Sequence, residues 1–211
     1  MKNFLIIDDH EIVRSGVKNV LQELFKPCEV FEANNEKTAI PLLKLHKYDL
    51  VIMDVQMPDT DSSSLLEYIR NLYPDAKVLI FSMSAENVYA RRFLKAGAMG
   101  FVSKNTGLSE LRKAIEMILS NRKYISESLA EQLAADIGHD HTDNPFDKLS
   151  TREFEIVSLL IKGKSVTEIS DLLAINTSTV GTHKSRSFEK LNVKNLAELI
   201  EVSRIYKLSG S

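Results

Sequence analysis

Three aspartates, a serine and a lysine stand at the ends of short apolar segments in the first half of the chain. Asp8 and Asp9 follow "NFLII", and Asp54 follows "DLVIM". Ser82 closes "KVLIFS", and Lys104 closes "GFVSK". Neighbouring carboxylates disfavour each other's ionisation, so aspartates that meet in a fold need a nearby positive charge. These residue types predict a cation site that also contains a hydroxyl and an ammonium group.

Oxygen ligands without clustered histidine or cysteine suit a hard divalent ion, Mg²⁺ or Mn²⁺, which readily takes phosphate as a further ligand. Asp54 is then a carboxylate nucleophile, with Ser82 and Lys104 beside the group being transferred. The ion and the ammonium group would stabilise the charge that develops on that group. The chemistry indicated is transfer of a phosphoryl group to Asp54.

The elements needed to bring these residues together appear as an alternation of strands and helices. Runs rich in Val, Ile and Phe predict five strands, over residues 4–7, 29–33, 50–53, 78–81 and 100–102. Between them, apolar residues recur at helical spacing, as at Val13, Val17 and Val20. This pattern predicts an α/β fold, a doubly wound parallel sheet of five strands with helices on both faces. Because ligands bind at the carboxyl ends of such strands, the five polar residues are expected to share one edge.

The last third of the chain predicts a small all-α domain of four helices. Its helical segments are "TREFEIVSLLIKG", "VTEISDLLAI", "TSTVGTHKSRSFEKL" and "NLAELIEVSRIYKL". The second and third, joined by a tight turn, have the spacing of a helix-turn-helix. We place the α/β domain at residues 1–121, a partly helical linker at 122–147 and the helical domain at 148–211. Two linker histidines, His139 and His141, are either solvated or a metal pair.

Composition favours a protein of the cytoplasm. Of the 211 residues, 44% are hydrophobic and 27% charged, which is ordinary for a soluble globular protein. A single cysteine, Cys28, excludes an internal disulfide, and no apolar run is long enough to span a bilayer. Residues 148–211 contain ten Lys/Arg and seven Asp/Glu, although the whole chain has a net charge of −2. Residues 148–211 are thus basic and the rest of the chain is acidic, which indicates that the two parts have different partners.

Residues 1 to about 120 resemble the receiver domain of two-component response regulators. The motifs that carry the resemblance are "IIDDHEIVRSGV", "DLVIMDVQMPD", "KVLIFS" and "AGAMGFVSK", in this order. The resemblance implies a flavodoxin-like fold. It also implies that Asp54 is the phosphoacceptor and takes its phosphoryl group from a sensor histidine kinase.

The same resemblance assigns roles to the residues around the phosphoacceptor. The implied ligands of the ion are Asp9, Asp54 and the backbone carbonyl of Gln56 directly, and Asp8 through water. Ser82 and Lys104 would contact the phosphoryl group, and Ser82 with Phe101 would form a conformational switch. Many receivers have glycine where this chain has Ser62, and we expect Ser62 to cap the following helix. Asp9 is likewise a candidate cap for the first helix.

Residues 148–206 resemble the LuxR-type DNA-binding domain of NarL/FixJ-type response regulators, through "LSTREFEIVSLLIKGKSVTEISDLLAINTSTVGTHKSRSFEKLNV". The helix "TSTVGTHKSRSFEKL" has the size of one that enters the major groove of double-stranded DNA. Val180, Ser187 and Leu191 are expected to pack inward. Eight other residues are predicted to contact DNA: Thr182, Lys184 and Ser185 at base edges, and Lys164, Thr177, Thr179, Arg186 and Lys190 at the backbone.

A single domain of charge +3 binds DNA weakly, so a homodimer on paired half-sites is expected. The last helical segment either supplies the contact between two copies or closes the core of its own domain. RNA polymerase is a further candidate partner, and no membrane partner is expected.

The sequence thus predicts a response regulator and not an enzyme. Phosphorylation of Asp54 would switch dimerisation or interdomain contacts and so control sequence-specific DNA binding and transcription. One alternative is a Mg²⁺-dependent phosphatase, which commonly needs a carboxylate two residues after the nucleophile, where this chain has Gln56. Two others remain open: a receiver that dimerises but is never phosphorylated, and C-terminal helices that bind protein alone.

Overall fold

The computed structural model describes residues 1–58, 60–83, 86–136 and 144–206. The chain divides into two compact units, residues 1–138 and 139–211. The linker histidines His139 and His141 lie outside the described residues, and the domain boundaries at residues 121 and 148 stay a prediction. Within the described ranges, no helix is both long enough and apolar enough to cross a membrane.

The first unit alternates strands and helices. Its strands are β1 (Lys2–Ile7), β2 (Cys28–Ala33), β3 (Leu50–Met53), β4 (Val78–Ser82) and β5 (Gly100–Ser103). Its helices are α1 (Glu11–Leu24), α2 (Glu36–Leu45), α3 (Ser62–Leu72), α4 (Glu86–Lys95), α5 (Leu108–Leu119) and α6 (Glu127–Asp136). All strand pairs are parallel, in the order β2-β1-β3-β4-β5. The predicted five-stranded parallel sheet is confirmed.

The three central strands form the core because their side chains are apolar on both faces. Residues 4–7, 50–53 and 78–80 are each at most 2% exposed. Burial on two sides is what a parallel sheet covered by helices requires. The amphipathic helices supply that cover with one apolar face each, such as Val17, Val20 and Leu21 in α1.

The register of the sheet brings two aspartates together at its edge. Ile7 at the end of β1 pairs with Met53 at the end of β3, so Asp8 and Asp54 leave the sheet side by side. The Asp54 amide donates to the Ile7 carbonyl at 2.9 Å. Residues far apart in sequence therefore become neighbours through strand pairing.

The segment after α5 lies along the β5 edge of the sheet. Tyr124 forms a parallel bridge with Gly100, and its amide donates to the Met99 carbonyl at 2.9 Å. A Cβ atom at Gly100 would lie 3.0 Å from the Cβ of Tyr124, so glycine permits this close approach. Tyr124 and Leu129 of α6 are each 3% exposed. The first part of the predicted linker therefore packs onto the α/β unit.

The second unit is helical throughout its described residues. A 3₁₀ helix (Pro145–Lys148) precedes α7 (Thr151–Ile161), α8 (Val166–Leu173), α9 (Thr177–Leu191) and α10 (Leu196–Ile205). Phe146 is fully buried, with its ring centre 6.5 Å from that of Phe154. Ala174, in the left-handed conformation, ends α8 and turns the chain towards α9. The four predicted helices and the helix-turn-helix order are confirmed.

Candidate functional site

Two buried carboxylates and a lysine whose side chain is 6% exposed form the centre of the site. Asp8 and Asp54 are 2% and 3% exposed. The Lys104 ammonium lies 2.7 Å from Asp8 Oδ2 and 2.5 Å from Asp54 Oδ2. Asp8, Asp9, His10 and Asp54 each place one potential ligand atom within 4.8 Å of the others. Lys104 thus contacts two of the three carboxylates among the described residues, and its single positive charge is smaller than their combined negative charge when all three are ionised.

The electrostatics of Asp8 and Asp9 fit a cation. Burial raises the pKa of Asp8 above its ordinary value, although the hydrogen bond from Lys104 acts in the opposite direction. Asp9 Oδ1 is shielded from solvent and accepts no hydrogen bond from the described residues, and His10 Nδ1 lies 2.9 Å from it. Hard cations take carboxylate oxygens of this kind as ligands. The oxygen-rich donor set is compatible with Mg²⁺ or Mn²⁺.

The side chain of Asp54 is held at both of its oxygens. The amides of Val55 and Gln56 donate to Oδ1 at 2.6 Å and 3.2 Å. Oδ2 accepts a hydrogen bond from Lys104. The carboxylate is therefore fixed, with one oxygen against the loop and the other inside the cluster. Gln56 is exposed, and its role as a carbonyl ligand stays a prediction.

Ser82 and Phe101 lie on the two strands beside this centre. Ser82 is fully buried at the end of β4 and pairs with Ser103 of β5. Its carbonyl accepts from the Lys104 amide at 2.9 Å, so the serine and the lysine are neighbours at the sheet edge. Phe101 is 1% exposed and therefore lies in the core. The structure gathers the predicted strand-end residues at one edge of the sheet.

Two predicted helix caps are wrong. Asp61 caps α3 and accepts two amide hydrogen bonds from its first turn, because Ser62 is already the first helical residue. The N-cap of α1 is His10, which makes no side-chain cap bond. Asp9 does not cap this helix, because the chain enters it one residue later, and Asp8 Oδ1 accepts from the His10 amide at 2.9 Å.

The predicted inner face of α9 is confirmed, because Val180, Ser187 and Leu191 are buried. The residues predicted to contact DNA lie on its other faces or near it. Those that are exposed are Lys164, Thr177, Thr182, Ser185, Arg186 and Lys190, and those that are partly exposed are Thr179 and Lys184. The Lys184 ammonium lies 5.5 Å from the centre of the Phe188 ring. Contacts of these residues with bases or phosphates stay predictions.

Two of the basic candidates have acidic partners within their own unit. Lys190 Nζ lies 2.7 Å from Glu153 Oε2, and Lys164 Nζ lies 3.1 Å from Glu168 Oε1. Sequence reasoning missed both glutamates as partners of these lysines. The signal for part of their role was present, because "STRE" and "SVTE" have the capping-box spacing that holds a glutamate at a helix start.

Hydrogen bonds favour the charged form of both glutamates. Burial acts to raise the pKa of Glu153, but hydrogen bonds from Lys190 and Ser150 outweigh it and leave the pKa below its ordinary value. The Ser165 amide, followed by the neighbouring lysine, lowers the pKa of Glu168 to about 2. Each of these two lysines would therefore have to leave a glutamate to make its predicted contact with a DNA phosphate.

The chain matches known families over both units. It matches the model of the response regulator receiver domain over residues 4–116 and that of bacterial regulatory proteins of the luxR family over residues 147–203. Response regulator UvrY of Escherichia coli (strain K12) is 32% identical over 204 residues, which cover 96% of this chain and 94% of UvrY. Response regulator GacA of Pseudomonas aeruginosa is 34% identical over 200 residues, 94% of each chain.

Solved structures of the response regulator RcsB are similar along the chain. RcsB from Salmonella enterica serovar Typhimurium, bound to promoter rprA in the presence of the phosphomimetic BeF3⁻, gives a TM-score of 0.62 at 26% identity. That similarity covers 95% of this chain and 97% of the RcsB chain. A structure of two RcsB dimers bound to two parallel DNAs gives 0.60 at 26% identity, over 96% and 98%.

Proposed function

This chain belongs to the response regulators that join a receiver domain to a LuxR-family DNA-binding domain, and we propose that phosphorylation of Asp54 by a sensor histidine kinase controls its binding to double-stranded DNA. The observation that carries the proposal is the buried cluster, in which the Lys104 ammonium contacts both Asp8 and Asp54. A carboxylate beside a lysine, a hydroxyl and further carboxylates is equipped to accept a phosphoryl group and to hold it.

In the proposed reaction an oxygen of Asp54 attacks the phosphorus of a phosphohistidine. A P–O bond forms, and the P–N bond breaks as the imidazole leaves. The residues that would hold Mg²⁺ or Mn²⁺ are Asp9, Asp54 and the Gln56 carbonyl directly, and Asp8 through water. When bound, the ion supplies charge that offsets repulsion between the carboxylate and the phosphoryl oxygens. Lys104 supplies a second positive charge within the cluster, and Ser82 supplies a hydroxyl donor.

Phosphorylation would change the partner of Lys104. The phosphoryl group adds about −1.5 to −2 charge and three acceptor oxygens. Lys104 would exchange its present carboxylate contacts for this group, and Ser82 would donate to it. Phe101, on the neighbouring strand, would repack in response. The changed surface would alter dimerisation or interdomain contacts.

The second unit would bind DNA through α9, with Thr182, Lys184 and Ser185 at base edges. The backbone contacts proposed are Lys164, Thr177, Thr179, Arg186 and Lys190. RcsB binds DNA as dimers in one of the similar structures, and we propose a homodimer on paired half-sites for this chain as well. RNA polymerase is a further proposed partner, and the cytoplasm is the proposed compartment.

The assignment of Asp54 is tested by Asp54→Asn. The wild-type chain, incubated with labelled acetyl phosphate and Mg²⁺, is expected to take up label, and the variant is expected to take up none above background. Asp49→Asn is the matched control, because Asp49 is exposed, lies just before β3 and accepts a hydrogen bond from the Asn3 amide. Label on Asp54→Asn at the wild-type level would make the assignment wrong.

The control of DNA binding is tested by a gel shift with genomic fragments selected by the phosphorylated protein. Binding is expected to strengthen when the phosphodonor is added. Equal binding with and without the donor would favour a receiver that dimerises but is not phosphorylated. Failure of the phosphorylated protein to select any fragment above background would favour helices that contact protein alone. A phosphatase would instead consume many donor molecules per chain, which the uncharged Gln56 disfavours.

A further inference from the structure

A buried hydroxyl braces the loop that follows β3. Ser62, the first residue of α3, is 3% exposed. Its Oγ donates to the Val55 carbonyl at 2.6 Å and lies 3.3 Å from the Asp54 carbonyl. Glycine, which many receivers have at this position, carries no hydroxyl. The brace is therefore supplied by the serine of this chain.

The braced peptide group also contacts the phosphoacceptor. The Val55 carbonyl and the Gln56 amide belong to one planar unit. The Ser62 hydroxyl donates to the oxygen of that unit. The N–H of the same unit, which is the Gln56 amide, donates to Asp54 Oδ1 at 3.2 Å. The Val55 amide donates to the same oxygen at 2.6 Å. Rotation of this peptide group would break the bond to Ser62 and withdraw a donor from the Asp54 carboxylate together.

We propose that Ser62 is a positioning residue for phosphoryl transfer: its hydroxyl fixes the Val55–Gln56 peptide group and, through it, the direction of the Asp54 carboxylate. Oδ2 then stays beside Lys104, 2.5 Å away, because Oδ1 is held by the loop. This inference rests on the proposed function of Asp54. Ser62 acts through the peptide group and does not itself touch the reacting atoms.

The test is Ser62→Ala in the full chain, labelled at saturating Mg²⁺ and saturating acetyl phosphate. The loss of one hydrogen bond predicts a maximal rate per folded chain that is about threefold to tenfold lower. Ser64→Ala is the matched control, because its hydroxyl, in the same helical turn, bonds to the exposed side of the Asp61 cap at 3.1 Å. This control is expected to keep the wild-type rate.

A purely structural role for Ser62 would lower the melting temperature and leave the maximal rate of the folded chain unchanged, and that result would overturn the proposal. A second measurement is Mn²⁺ affinity of the unphosphorylated protein, followed by electron paramagnetic resonance. Ser62→Ala is expected to bind Mn²⁺ about threefold more weakly, because Asp54 and the Gln56 carbonyl, which belong to the braced loop, are proposed ligands. If the wild-type chain takes up no phosphate, the proposed function fails. The role of Ser62 is then decided by Mn²⁺ binding, and equal affinities of the wild-type chain and Ser62→Ala would overturn it.

Discussion

The receiver unit and the DNA-binding unit differ in how their charged side chains are paired. In the described part of the receiver, three carboxylates meet at one edge of the sheet, and Lys104 contacts two of them, Asp8 and Asp54. In the second unit, Lys190 is paired with the buried Glu153, and Lys164 is paired with Glu168. Clustered carboxylates of this kind favour a nearby positive charge. A lysine that is already paired with a glutamate must leave it before it can bind another anion.

The difference follows from how each site is built. Backbone hydrogen bonds between strands hold Asp8 and Asp54 together, so these like charges cannot move apart. Lysine side chains are long and flexible, so Lys164 pairs with an acid four residues away and Lys190 pairs with one on another helix. The donor set of the receiver site fits a cation, whereas two of the lysines predicted to contact DNA in the second unit are already paired with glutamates.

The largest effect is expected from Lys104→Met, which removes the positive charge from the receiver cluster. The variant leaves the two buried aspartates without their positive partner. In EDTA, the free energy of unfolding is expected to fall by about 3 kcal/mol, as for other buried ion pairs that lose one member. Urea unfolding followed by circular dichroism measures the change, and Mg²⁺ is expected to restore part of the loss.

The control for this variant is Lys113→Met, which removes an exposed lysine of α5. Its ammonium lies 3.9 Å from Glu110, and its side chain is 63% exposed. The expected change in the free energy of unfolding is within about 0.5 kcal/mol. Equal losses for the two variants would contradict the view that Lys104 is needed to balance the buried cluster.

A smaller effect is expected from Glu153→Gln, which releases Lys190 in the second unit. Glutamine can still accept the capping hydrogen bond from Ser150, but the ion pair is lost, so stability is expected to fall by about 1 kcal/mol. A released Lys190 should add one phosphate contact, which steepens the plot of log affinity against log salt by about 0.9. Filter binding between low and moderate salt measures this slope.

Glu189→Gln removes the same charge from the exposed face of α9 and is expected to steepen the slope by less than half as much. If both variants change it equally, general charge and not the release of Lys190 accounts for the effect.

The smallest effect is a difference in pH response between the two units. The pKa of Asp8 is raised above 3.8, so its contribution to stability is complete below that pH and is lost as the pH rises through the folded-state pKa. The pKa of Glu153 is lowered below 4.5, so its contribution is present above 4.5 and is lost as the pH falls. Carboxyl ¹³C titration in EDTA should find these opposite displacements, and displacement of both groups in one direction would contradict the comparison.

The fold could be predicted from the alternation of strands and helices, and the acidic centre could be predicted from the residues at strand ends. Each residue of the centre follows an apolar run, and a parallel sheet places the ends of its strands on one edge. Strand limits were less certain, since β1 begins at Lys2 and not at residue 4. A polar first residue gives no signal in a pattern of apolar residues.

The contacts that could not be predicted depend on partners far away in sequence or on the path of a loop. Lys190 and Glu153 are 37 residues apart, and no periodicity links them. The capping box could place Glu153 at a helix start but could not name its lysine. Ser62 was expected to act as a cap, and its bond to the Val55 carbonyl appears only once the loop is folded.

The bridge between Tyr124 and Gly100 restricts how the receiver can respond. Strand β5 is hydrogen-bonded to β4 on one side and is flanked by the Tyr124 segment on the other. Sliding of the whole strand would break both sets of backbone contacts, whereas rotation of a single aromatic ring within it breaks neither. The motion of Phe101 that leaves these backbone contacts intact is therefore torsion about its side-chain bonds, and the Tyr124 segment then stays attached to the sheet.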